Sequence, residues 1–178
     1  GIPVVEVDLP LGLAGTESFL LSAGDALGRG EQARALIATE SATAVRDVER
    51  HVARFVAGQR ASIATADPHL EQALHSLCLD LGLDVVSAEA DDRGGTAGGD
   101  VAVPDARLCF AGTHMPLPPT WIRVSVGYPN FAYHPISERP DLGFKGFRVL
   151  VERIVEALLQ REVSEASALA LKCHRHSY

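Results

Sequence analysis

With 178 residues, 47% of them apolar, the chain can build one compact domain with a sizeable core but not two full domains. A net charge of -7 with scattered arginines and no basic patch excludes a nucleic-acid or anionic-membrane surface, because either partner needs clustered Lys or Arg. Three cysteines without a CxxC pair exclude a disulfide framework and a four-thiolate metal site.

No apolar run reaches the length of a membrane span, and the amino end lacks the basic flank and cleavage pattern of a signal peptide, so a cytoplasmic setting is the expectation. Taken in order, residues 2–9 place Val4, Val5 and Val7 in an imperfect alternation that predicts a strand, ended by Pro10 and Gly12. Gly15 and Thr16 then open a short helix to about Leu27, with Thr16 as its N-cap, Glu17 near the positive end of the dipole, and Gly28 and Gly30 as stops. A longer helix over residues 31–57 repeats Ile37, Ser41, Val45, Val48, Val52 and Phe55 on one stripe. Opposite that stripe, Arg46, Asp47, Glu49, Arg50 and Arg54 read as a solvated face.

Residues 61–64 predict a strand, followed by Asp67 as an N-cap and Pro68 at the first helical position, where proline loses no hydrogen bond. That helix ends at Leu81 with Gly82 as its cap, and residues 84–87 form the next strand, giving a βαβ unit with parallel strands. Residues 91–100, DDRGGTAGGD, read as an acidic surface connection, since no Lys-Ser/Thr pair follows as in a phosphate loop. Residues 107–111 predict a strand that ends in Gly112-Thr113-His114, and MPLPP at 115–119 forbids a helix before the strand at 121–126, WIRVSV. Phe147, Leu150, Val151, Ile154, Val155, Leu158 and Leu159 mark an amphipathic helix over residues 144–162. The pattern predicts an α/β domain with a mostly parallel sheet, helices on both faces, and strands near residues 4, 62, 85, 109 and 123.

In such a sheet the turns leaving the carboxyl ends of the strands form the ligand crevice. The turn at 127–143 carries Tyr133, His134, Ser137, Glu138 and Arg139 on a shelf stiffened by Pro129, Pro135 and Pro140. Thr113 and His114 leave another strand end, where His114 also reads as a polar loop residue, and Asp67 with His69 a third, where Asp67 also reads as a plain helix cap. An ion pair of Arg139 with Glu138 and Asp141 explains those acids without catalysis. Cys78 and Cys109 read as small core residues, and Cys173-His174-Arg175-His176 as a surface tail with no second ligand pair. No Ser lies in a Gly-x-Ser-x-Gly elbow, so hydrolase chemistry is unsupported.

The order of a hydrophobic strand, Gly127-Tyr128-Pro129, the His134 loop, Pro140-x-x-Gly143-Phe144-x-Gly146-Phe147 and a long amphipathic helix resembles the last domain of the catalytic-component subunits of nitrogenase. Light-independent protochlorophyllide and chlorophyllide reductases share that domain. IPVVEVDLPLGLAGTESFL, residues 2–20, looks like its opening, and RASIATADPHLEQALHSLCLDLGLDVV, residues 60–86, looks like its strand-helix-strand core. The resemblance implies a three-layer Rossmann-like domain over residues 1–163, with residues 164–178 a tail that is partly helical or disordered. It also implies a place in a multi-subunit, ATP-driven oxidoreductase, beside other domains or subunits and an ATP-dependent reductase partner. In that assembly an iron-sulfur or other metallocluster, or a tetrapyrrole, is held between domains.

No cofactor is assigned to this chain alone, and the isolated chain is expected to be inactive. His134 lies one residue short of the spacing that separates the family's cofactor-ligating histidine from the Pro-x-x-Gly pattern. The resemblance therefore implies His134 as a metal ligand, with Glu138 placed to orient its second nitrogen; a loop histidine hydrogen-bonded to backbone is the alternative. Tyr133, Glu138, Arg139, Thr113, His114 and Asp67 are the further cofactor-facing residues implied. The family's two earlier domains, whose cysteines hold iron-sulfur clusters, have no counterpart in these residues. A non-redox cofactor-binding or assembly module of the same fold therefore stands as the second reading.

Overall fold

A computed structural model describes residues 4–86, 108–112, 116–117, 121–126 and 142–175. The elements in chain order are α1 (Gly12–Ala26), α2 (Gly30–His51), a π-helical turn (Val52–Val56), β1 (Arg60–Ala64), α3 (Pro68–Asp80), β2 (Asp84–Val85), β3 (Leu108–Ala111), β4 (Ile122–Ser125) and α4 (Gly143–Arg175). The four strands form one sheet in the order β2-β1-β3-β4, and every pairing is parallel. This is the α/β, Rossmann-like architecture that the alternation of strand and helix patterns predicts. The strands near residues 62, 85, 109 and 123 all form.

The strand predicted at residues 2–9 does not form among the described residues of that segment. Residues 4–10 pair with no strand of the sheet, and Val4, Val5, Val7 and Leu9 stay exposed. A β-branched run becomes a strand when it fits a half-buried pleated surface, and here no such surface receives it. The segment instead runs past the helical layer, where the carbonyl of Pro10 accepts a 2.8 Å hydrogen bond from the N–H of Gly143.

The start of α1 also differs from expectation. The helix begins at Gly12, so Thr16 sits within it, 3% exposed, with its hydroxyl donating to the carbonyl of Gly12 at 2.6 Å. Its cap comes from a distant residue: the Asp80 carboxylate, at the end of α3, accepts from the backbone N–H of Leu13 at 2.7 Å and of Ala14 at 3.3 Å. Those are two of the donors that a helix amino end leaves without an internal partner. α3 itself starts as its local residues dictate, with Asp67 capping, Pro68 in the first turn, and Gly82 just beyond the end at φ +65°.

Register fixes the two faces of the sheet. Leu108 pairs with Ala61 and Ile122, and Phe110 with Ile63 and Val124, so these apolar side chains line one face. That face joins Leu74, Leu77, Cys78 and Leu81 at α3, Val48 of α2, Val56 of the π-helical turn, and Phe147, Leu150, Val151, Ile154 and Leu158 of α4 in one core. Cys109 and Ala111, buried on the opposite face, stand apart from that cluster. Of the stripe predicted on α2, Val48 is buried and Val45 exposed, while Ala33 and Ala44 are the other buried residues of the helix. The charged face of Arg46, Asp47, Glu49, Arg50 and Arg54 is exposed, as expected, and Asp47 additionally pairs with Arg148 of α4.

Candidate functional site

Because all four strands run the same way, the carboxyl ends of β1, β3 and β4 open on one edge of the sheet. Of the residues the sequence assigns to the crevice there, Asp67 is described; Thr113, His114, Tyr133, His134, Glu138 and Arg139 lie outside the described residues. Asp67 is engaged as a helix cap. Its Oδ1 accepts from the N–H of His69 at 2.9 Å and of Leu70 at 3.4 Å, while its own N–H donates to the Thr65 hydroxyl at 3.2 Å. The positive end of the α3 dipole favours a carboxylate at that position, and the residue is explained without a ligand.

Arg123 of β4 reaches the carboxyl end of β3 at the same edge. Its guanidinium, projecting from β4, donates to the carbonyl of Gly112, the first residue after β3. Arg123 also pairs in register with Cys109 of β3. Burial pushes the Cys109 thiol above its ordinary range, against a smaller opposing pull from the Arg123 charge. Cys78, sealed in the core, is pushed up to about 12 by burial alone. Both are protonated thiols at neutral pH and neither offers a thiolate.

Beside α3 lies a cavity of about 800 Å³ between the extended segment at residues 6–10, α1 and the outer face of α3. Glu6, Asp8, Ser18, Ser22, His69 and Gln72 line it among others, and the Ser18 hydroxyl donates to Asp8 Oδ2 at 2.5 Å. Hydrogen-bonding groups of this kind, with two carboxylates and no Lys or Arg, can receive a polar or cationic group. The sequence reading missed this cavity. Polar residues at helical spacing, His69, Gln72 and Ser76 on α3 and Ser18 and Ser22 on α1, carry the signal for it.

A second groove, about 1100 Å³, runs between α2 and α4 over Val48, Val155, Leu159 and Val163. Among the described residues no group of three His, Cys, Asp or Glu side chains is arranged to hold a metal ion, and no helix is long and apolar enough to cross a membrane. Asp67 is occupied as a cap, and the thiols of Cys78 and Cys109 are buried and protonated, so these three side chains do not fit a metallocluster.

A four-stranded, all-parallel sheet with its open turns on one edge places the chain in the Rossmann-like α/β class. A sequence model of the nitrogenase component 1 type oxidoreductase family matches residues 1–96, more than half of the chain, and the chain belongs to that family. The match takes in the stretches at 2–20 and 60–86 and stops short of the one at 127–147. No curated protein and no solved structure matches the chain significantly.

Proposed function

We propose that this chain is a domain of a nitrogenase-like reductase subunit, forming one wall of a metallocluster or tetrapyrrole site in a multi-subunit, ATP-driven reductase. The family match over residues 1–96 carries this reading, and the common edge of β1, β3 and β4 gives it a surface. The chain's own contribution is positional. Asp67 fixes the start of α3, and Arg123 holds the Gly112 carbonyl just after β3, so side-chain hydrogen bonds engage the chain at two of the three strand ends on that edge. His134, on the turn after β4, is the proposed ligand, with Tyr133, Glu138, Arg139, Thr113 and His114 facing the same group.

The second reading, a non-redox cofactor-binding or assembly module, is favoured by one observation: the thiols of Cys78 and Cys109 are buried and held protonated. Anaerobic purification of the assembly carrying this chain separates the two, read by absorbance in the iron-sulfur and tetrapyrrole bands. Under the reductase reading the assembly is coloured, and His134→Ala loses cofactor and turnover with an unchanged melting temperature. A colourless assembly, or a coloured one without reductase turnover, selects the module. A coloured His134→Ala assembly with normal cofactor per folded molecule removes His134 from the ligand set.

A further inference from the structure

We draw no further inference here: the strongest candidate, the apolar groove between α2 and α4 floored by Val48, Val155, Leu159 and Val163, carries nothing because nothing in the structure shows what covers it.

Discussion

The carboxylate of Asp80 stands 2.7 Å from the backbone nitrogen of Leu13, so the last residue of α3 caps the first turn of α1 across 67 positions of sequence. One hydrogen-bonded oxygen thereby fixes how two helices of the same layer meet. Replacing Asp80 by Ala leaves the N–H groups of Leu13 and Ala14 without this acceptor, and the expected loss is about 1–2 kcal/mol of unfolding free energy. Asp80→Asn keeps an acceptor oxygen and should lose less. Urea denaturation of the two variants checks the order, and equal losses would show that the acceptor is immaterial.

The same carboxyl group makes stability depend on pH in a stated direction. Burial raises its pKa above the ordinary 3.8, and the bonds from Leu13 and Ala14, which lower it, only partly offset that shift; the Glu17 charge adds to the rise. The folded chain therefore holds this proton more tightly than the unfolded chain. As pH climbs from 3.8 through the raised value, the unfolded state releases the proton first, so this group's contribution falls and then levels off. In Asp80→Asn that decline should disappear, leaving a flatter stability profile above pH 4 in denaturant titrations. An unchanged profile would mean that other groups set it.

Gly12 sits at φ +73°, and a Cβ there would lie 2.7 Å from Asp80 Oδ2 and 3.3 Å from the Leu77 backbone. Gly28, at φ +65°, has open space around it. Both substitutions to Ala incur the left-handed backbone cost of about 1–2 kcal/mol, but only Gly12→Ala must also displace the cap. Gly12→Ala is expected to be the more destabilising by about 1 kcal/mol or more, an additional cost of the kind that lost caps carry. Matched denaturation curves decide it: similar losses would place the Asp80 contact outside the solution structure.

Cys78 and Cys109 should resist iodoacetamide in the native chain at pH 8 and react once it is unfolded, because both are fully buried and their thiols are shifted upward. Peptide mass spectrometry after brief alkylation reads this directly. For Cys78 the sign with pH follows: between 9.0 and about 12 the unfolded chain ionises while the folded one does not, so stability drops as pH rises through that range. Rapid native labelling of Cys78 would show that α3 opens on the labelling timescale.

Leu74 is buried completely on the face of α3 that meets the sheet, whereas Val163 on α4 is 67% exposed. Leu74→Ala should cost about 2–5 kcal/mol through lost burial and a residual cavity. Val163→Ala should stay within about 0.5 kcal/mol, as surface substitutions do. Thermal and chemical melts of the two variants test this ranking, and a large loss at Val163 would indicate that another surface covers it in solution.

What could be read from the chain alone was decided locally. Asp67, Pro68 and Gly82 start and stop α3 through their own backbone chemistry, and the spacing of Phe147, Leu150, Val151, Ile154 and Leu158 matches the buried stripe of α4. The parallel order also followed, since a strand, a helix and a second strand leave one favoured way to return to a sheet. The missed features depend on distant partners. Thr16 has the residue type of a cap, yet the cap is Asp80; the valines at 4, 5 and 7 have strand propensity but no neighbouring strand. The π-helical turn at Val52–Val56 interrupts a period that the sequence pattern treats as continuous. Of the candidate site, local chemistry could identify Asp67 as a cap, but the cavity beside it forms only when residues 6–10 and α1 come alongside α3.

The bond from the Gly143 N–H to the Pro10 carbonyl has a mechanical consequence. It joins the segment ahead of the first helix to the first residue of the last one, and neither residue belongs to the sheet. A force applied where the chain approaches α1 can thus pass to α4 without stretching a strand ladder. Because α4 also packs on β4, the segment ahead of α1 and the edge strand of the sheet meet through the same helix.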